Sequence, residues 1–384
     1  MTARGQALLA ISLSALLCGM SLGGRIFYLT ALFVLLALVY SLASVLLSRR
    51  KMRIHAVLSA PHVLRGEKAF LCITAEKRGL LPVYPLDVTV KCGDTPLYLS
   101  AHPSRKHALS IDLALPTQHT GLFSTGILEY TFCDILGLFR ARVRCKADTF
   151  SDLIVLPRPF DVENLQFYSN DDGRSLQNRT SEDLSSPEDI RAYRHGDSLK
   201  RVHWKLSARK RELVVRRFET PAPPDTLLLL DCSMPGNEND TPDDRLTLRD
   251  ALCETALSVV SMQLKSQSPV RMPLYSAHSQ EFHSSSAEDL PHLQKLLACQ
   301  PFEGDVGFDR VLNMELRRMR QTGATVIVTA QLTAAIVEGV KHIRLSGPNA
   351  RVYLITRTPD REEDRPYVMQ LQQCLVEVCY VTPA

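Results

Sequence analysis

The residues best equipped for chemistry fall in two places. The first is a basic segment from Glu188 to Glu219. It holds His195, Asp197 and His203, ten Lys/Arg residues and the only tryptophan of the chain, Trp204. A histidine beside an aspartate is a pattern for general acid–base work. No nucleophile or metal-binding cluster accompanies it in the sequence, so this reading ranks last of three. In the favoured reading the arginines and Asp197 form internal ion pairs that seat the segment on a neighbouring domain, with Trp204 filling the contact. Truncating a tryptophan packed that way costs about 3–5 kcal/mol. In the remaining reading the basic face takes an anionic partner: phosphate, nucleic acid or a membrane surface. A nucleic-acid site more typically combines a recognisable module with interleaved aromatics, so a nucleic-acid partner is not expected.

The second place is Asp231-Cys-Ser-Met-Pro235, directly after the apolar run Thr226–Leu230. Such a run reads as a strand buried on both faces. In open α/β sheets ligands bind outside the carboxyl ends of the strands, which is where Asp231 and Ser233 fall. No Walker A loop, G-x-S-x-G elbow or Gly-rich dinucleotide loop occurs anywhere in the chain.

The elements that must position these residues follow from periodicity. After the stiff Pro221-Ala-Pro-Pro224, residues 225–384 alternate between strands and helices. Expected strands are Thr226–Leu230, Val270–Tyr275, Thr325–Thr329, Arg351–Thr356 and Val376–Val381. Expected helices are Asp244–Leu264, Ala287–Cys299, Phe308–Arg320, Ala334–Leu345 and Arg365–Cys374. That alternation predicts a doubly wound, mostly parallel sheet. Within the basic segment, Ser198 is expected to cap a helix over Leu199–Ala208, followed by a strand over Glu212–Phe218. Residues 54–150 instead carry short β-branched runs separated by turn formers such as Arg65-Gly66-Glu67 and Cys92-Gly93-Asp94. They predict a small antiparallel sandwich or barrel. Asp134–Phe139 reads as a turn that sets Leu138 and Phe139 against its core, and Val155–Pro159 marks the exit.

The amino-terminal end is different in kind. Ala7–Leu22 and Ile26–Leu47 carry no charge. As a helix the second run is about 33 Å long, enough for a hydrocarbon core of roughly 30 Å. The first is about 24 Å, so it borrows its flanks or thins the bilayer. Basic residues cluster at the outer ends, with Arg4 before the pair and Arg49, Arg50, Lys51 and Arg53 after it, and only Arg25 in the turn. The positive-inside rule then puts both ends in the cytoplasm. Ten scattered cysteines without a C-x-x-C pair fit reduced thiols. A chain of 384 residues, 22% charged and with a net charge of +4, is neither disordered nor polytopic, and the charge excess does not call for nucleic acid.

The string Arg191-Ala-Tyr-Arg-His-Gly-Asp197, then Val202-His-Trp-Lys205, Ala208-Arg209 and Leu213-Val-Val215, resembles the signature of the "domain of unknown function 58" family. His195 replaces a common proline and Val202 a common isoleucine. The resemblance implies an order of two membrane helices, a β-rich module with a Gly-Leu-Phe turn, the motif, and a von Willebrand factor A-like domain. It further implies a MoxR-type AAA+ ATPase as partner, and it assigns no reaction. Its motif residues here are Arg191, Tyr193, Arg194, Gly196, Asp197, His203, Trp204, Lys205 and Arg209. A von Willebrand A domain carries an Asp-x-Ser-x-Ser metal site suited to Mg²⁺. Asp231 and Ser233 match its start, but Pro235 stands where the second serine belongs. Thr329 and Gln331 follow the fourth strand in place of an acid, so the site is degenerate. Asp305 and Asp309 lie on a loop able to approach the same edge.

The expectation is therefore a multi-domain chain: a transmembrane helical hairpin (1–50), a β-sandwich-like module (54–160), a mobile stretch with the basic motif (161–222) and a von Willebrand A-like α/β domain (225–384). It is expected to be a two-pass inner-membrane protein with both termini cytoplasmic. Its role is that of a non-enzymatic scaffold or adaptor working with protein partners. The alternatives are a divalent-metal hydrolase using Asp231, and anion or nucleic-acid binding through 191–217.

Overall fold

The computed structural model describes residues 2–77, 83–93, 95–102, 109–145, 150–161, 189–194, 202–217, 225–236, 240–275, 279–302, 306–319, 322–359 and 361–383. The stretch 170–186 read as mobile, residues 195–201, the linker 221–224 and Asp305 lie outside them. The chain divides into two compact units, residues 1–158 with 295–299 and residues 159–294 with 300–384.

The first unit opens with α1 (Ala3–Leu22) and α2 (Arg25–Lys51). Helix α1 recruits residues 3–6 to the uncharged run, which lengthens it to 20 residues, about 30 Å. Gly23, at φ +72°, supplies the left-handed cap that ends α1, and α2 starts two residues later. Gly19 admits Phe27 Cβ and the ring of Tyr28 against its backbone, so the helices pack closely at the turn. Both are long and apolar enough to cross a membrane, and only 11% and 28% of their apolar stretches are buried. Such exposure is unlike a core helix of a water-soluble domain.

Helix α2 runs straight into the β module. Its strands are β1 (Met52–Leu58), β2 (His62–Leu64), β3 (Ala69–Lys77), β4 (Val83–Cys92), β5 (Thr95–Ala101), β6 (Leu109–Leu115), β7 (Gly121–Asp134), β8 (Arg140–Arg144) and β9 (Ser151–Leu156). They form a three-stranded sheet, β1-β3-β6, and a larger one in the order β2-β9-β7-β4-β5 with β8 added to β7. Pairing is antiparallel except between β2 and β9. Leu71 and Ile73 of the first sheet share one buried cluster with Leu86, Val88, Phe132, Leu153 and Val155 of the second. Val45 of α2 belongs to the same cluster. Strand β9 stops at Leu156, before Pro157.

The second unit begins, among the described residues, with a small hairpin. Strand β10 (Asp189–Ala192) pairs antiparallel with β11 (Val214–Arg217), and α3 (Trp204–Lys210) lies between them in sequence. A six-stranded sheet follows, from β12 (Asp225–Leu230), β13 (Val270–Leu274), β14 (Gln280–Ser284), β15 (Thr322–Thr329), β16 (Asn349–Ile355) and β17 (Glu377–Val381). The order is β14-β13-β12-β15-β16-β17, parallel throughout except for the edge strand β14. Leu227, Leu228 and Leu229 of β12 are fully buried, as a strand covered on both faces requires.

Helix α4 (Pro242–Lys265) starts at a capping box, in which Thr241 and Asp244 satisfy each other's backbone N–H groups. Residues 290–294 of α5 (Leu290–Ala298), with α6 (Phe308–Leu316), α7 (Ala334–Leu345) and α8 (Arg365–Gln373), complete the unit. Helices α6, α7 and α8 pack with Leu227, Leu229, Ile327, Val352 and Leu354 on one face of the sheet. The alternate residues, such as Leu228 and Val326, point to the other face. The chain first builds outward from β12 to β13 and β14, then returns to β15 on the opposite side. That reversal puts a topological switch point at the carboxyl ends of β12 and β15.

Candidate functional site

The switch point is occupied by Asp231, the residue after β12. It is 2% exposed. Its Oδ1 accepts from the backbone N–H of Ser233 at 3.0 Å and from the Ser233 hydroxyl. Its Oδ2 accepts from Thr329 Oγ1, at the end of β15, at 2.7 Å. The Thr329 hydroxyl in turn accepts from the N–H of Gln331 at 3.2 Å. Burial pushes the Asp231 carboxyl above its ordinary value, against the opposing pull of the Ser233 and Thr329 hydrogen bonds. The neighbouring Cys232 thiol is pushed up to about 12, by burial first and by the Asp231 charge second. A thiol so placed does not act as a nucleophile at neutral pH.

This donor set does not fit a Mg²⁺ cage. It holds one carboxylate and two hydroxyls, each already bonded to another member of the set or its loop. Pro235 contributes no oxygen side chain. Among the described residues no group of three or more His, Cys, Asp or Glu is placed to hold a metal ion. Octahedral Mg²⁺ keeps several waters and is held through one or two carboxylates, and here both oxygens of the one carboxylate are committed to Ser233 and Thr329. What the geometry does provide is a polar knot tying the ends of two central strands together.

The basic segment is built differently. Val202 forms an isolated bridge with Val215 and is 5% exposed, and the N–H of His203 donates to the carbonyl of Val214 at 2.9 Å. Helix α3 therefore starts at Trp204, five residues later than expected, and its cap is His203 rather than Ser198. The His203 Nδ1 accepts from Leu206 N–H at 3.3 Å. Ser207 fixes the helix to β11 by accepting from Val214 N–H at 2.9 Å. Tyr193 N–H donates to the Leu213 carbonyl at 2.8 Å. His203 is thus a capping residue, with one ring nitrogen committed to the backbone.

Trp204 does not fill a contact. It is 62% exposed, because a helix capped at His203 turns its first residue outward while Ser207 faces β11. Lys205, Arg209, Lys210 and Arg211 are exposed beside it. None of these four forms an ion pair with a described residue, and Asp197, the carboxylate expected to pair within the segment, lies outside the described residues. Arg194 is exposed and keeps an interaction of its own. Arg191 lies in β10, paired with Val215. Gly196 and Asp197 fall outside the described residues. The structure therefore gathers Trp204, Lys205 and Arg209 on one short helix and puts Asp231, Ser233 and Thr329 together in another place.

Pattern reading missed a second polar cluster in this unit. Glu315 of α6, fully buried, accepts from Arg271 at 2.7 Å, from Arg318 at 3.0 Å and from the Tyr275 hydroxyl. Burial alone would raise its carboxyl, but the Tyr275 and Arg271 hydrogen bonds prevail and hold it below its ordinary value. Tyr275 and Arg271 lie 40 and 44 residues away, so no local signal announces them; only Arg318, three residues on, is a sequence neighbour.

Comparison with known proteins adds one assignment. The family model described as "Protein of unknown function DUF58" matches residues 189–371. No curated protein matches. A solved structure, Cwp6 from Clostridium difficile, aligns at 8% identity with a TM-score of 0.21, over 86% of this chain and 45% of its own. This chain thus spans under half of that structure's length.

Proposed function

Residues 189–371 belong to the DUF58 family, and from that premise we propose that the chain is a membrane-anchored scaffold whose α3 face captures a protein partner. The observation that carries the reading is the exposed Trp204 on a seven-residue helix that also carries exposed Lys205, Arg209 and Lys210 and is followed by exposed Arg211. Exposed tryptophan with arginine is the composition of interface hot spots. The bases select an acidic partner surface and speed the encounter. A MoxR-type ATPase is the partner the family resemblance suggests. The anchor is the α1–α2 hairpin, spanning the inner membrane with both termini cytoplasmic. The β module is a small sandwich and the C-terminal unit a von Willebrand A-like domain. That last reading is supported by the antiparallel edge strand, by the strand order and by Asp231-x-Ser233 at the switch point.

Full-length protein retained from detergent-solubilised membranes tests the capture. Trp204→Ala and Arg209→Glu each deplete a co-purifying partner while the chain stays folded; undiminished capture by both variants defeats the reading. Protease added outside intact spheroplasts leaves the β module and C-terminal unit uncut; digestion there overturns the cytoplasmic topology. The hydrolase alternative rests on Asp231, whose oxygens are already committed to Ser233 and Thr329. The nucleic-acid alternative predicts retention on DNA or RNA that falls steeply with salt.

A further inference from the structure

The turn between β7 and β8 is built in an unusual way. Asp134, 3% exposed, accepts from the N–H groups of Leu136, Leu138 and Phe139 at 3.1, 2.9 and 2.9 Å. Gly137 takes the positive φ of +66° that closes the loop. Leu138 points inward and is buried, while Ile135 and Leu136 point out, 60% and 47% exposed. The Asp134 side chain thus holds a tip that displays two branched apolar side chains next to each other to solvent.

The same turn is tied to the beginning of α1. The Thr2 N–H donates to the Leu138 carbonyl at 2.9 Å, and the Thr2 hydroxyl lies 2.6 Å from the Gly137 carbonyl. The Arg4 guanidinium lies close to Gly137. Helix α1 is 20 residues, about 30 Å, which matches the hydrocarbon thickness of a bilayer. If its far end, at Gly23, sits at one boundary, Thr2 and the turn sit at the other. Exposed Arg49, Arg50 and Lys51 end α2, which packs against β7 and β8, the two strands that flank the turn. Basic residues beside apolar ones are what an anionic headgroup layer takes.

We propose that the Asp134–Phe139 turn is an interfacial membrane anchor, inserting Ile135 and Leu136 among anionic phospholipid headgroups beside the hairpin. The inference rests on the spanning reading of α1 and α2. It goes beyond that reading by assigning a third membrane contact, one that fixes the orientation of the β module on the leaflet. Thr2 and Asp134 act as positioning residues; Ile135 and Leu136 touch the lipid.

The test uses the full chain, with Trp204→Phe to remove the native tryptophan, reconstituted into vesicles of phosphatidylglycerol and phosphatidylcholine. One variant adds Leu136→Trp and another adds Phe33→Trp, at an exposed position in α2. Brominated acyl chains quench tryptophan that enters the bilayer. The expected result is quenching of both: deep for Phe33→Trp, shallow and with blue-shifted emission for Leu136→Trp, the latter weakening in vesicles of phosphatidylcholine alone. Quenching at position 33 with solvent-like, unquenched emission at 136 overturns the anchor and leaves the hairpin standing. No quenching at either position overturns the spanning reading and the anchor with it. Leu136 is exposed, so its replacement leaves the fold intact; in the full chain, adding Ile135→Asp to the Leu136→Trp variant is expected to abolish the shallow quenching and shift the emission to the red, and unchanged quenching overturns insertion by the apolar pair.

Discussion

Two regions of the C-terminal unit carry its most conspicuous polar residues, and they are finished to opposite degrees. Around Asp231 every oxygen has a partner, and the carboxylate is 2% exposed. On α3 the bases have no ion-pair partner among the described residues, and the one tryptophan faces solvent. Buried polar groups left unpaired are costly, so evolution satisfies them or removes them. Exposed ones cost little and survive without partners in the fold. The closed knot belongs to the architecture of the sheet; the open aromatic–basic face is where the proposed partner would bind.

The sharpest break of that contrast is on the closed side. Arg271→Ala takes from Glu315 its shortest ion pair and leaves a fully buried carboxylate dependent on Arg318 and Tyr275. Breaking a buried pair costs about 3–5 kcal/mol, and the lower end is expected here because Arg318 remains. Denaturant unfolding of the detergent-solubilised chain measures it. A loss below about 0.5 kcal/mol, the range of ordinary surface changes, would mean that the cluster is not closed.

Asp231→Ala comes next. It leaves the Ser233 N–H and hydroxyl and the Thr329 hydroxyl with fewer acceptors in a buried place, at about 1–3 kcal/mol. The same protein, titrated with Mg²⁺ in a calorimeter before and after the substitution, separates knot from metal centre. Silence from both is expected; saturable heat from the parent that vanishes in Asp231→Ala would convert the knot into a cation site.

The two closed clusters also differ in sign with pH. Asp231 is raised above 3.8 in the folded chain. Between 3.8 and its folded value the unfolded chain releases its proton first, so stability falls as pH rises through that window, and Asp231→Asn flattens the fall. Glu315 is lowered below 4.5. Its stabilisation is fully present above 4.5 and is lost as pH falls through the folded value, and Glu315→Gln removes that loss. Unfolding midpoints taken from pH 3 to pH 7 for the parent and both variants check the pair of signs; a matching slope for both substitutions would overturn the assignment of opposite shifts.

What could be read beforehand follows the same division between local and distant information. Helix α4 announces itself through its apolar side, although it starts at Pro242, two residues before the expected Asp244, and β12 through the apolar run Thr226–Leu230. Strand β14 escaped because it is a polar edge in which Phe282 is the one large buried residue, so neither alternation nor an apolar run is present. The start of α3 was misplaced because Val202 looks like a helix-face residue, yet it serves as a β-bridge to Val215. The Asp231–Thr329 pair was legible as two strand ends in a doubly wound sheet. The Glu315 cluster was not, since its cost and its satisfaction depend on residues that only the folded chain brings together.

The smallest effect on stability is the most informative for function. A tryptophan packed between elements costs about 3–5 kcal/mol when cut to alanine, because cavity and lost burial add. Trp204 is 62% exposed, its helix is held by His203 and Ser207 instead, and Trp204→Ala therefore changes unfolding free energy by no more than about 0.5 kcal/mol. Truncation at an interface hot spot, by contrast, costs about 2 kcal/mol or more of binding, a factor of roughly 30 in affinity. The two measurements on one variant thus diverge if the ring is held for a partner. Should unfolding fall by 3 kcal/mol instead, the ring would be structural and α3 would join Asp231 among the closed regions; should both stay unchanged, the partner would have to engage another face.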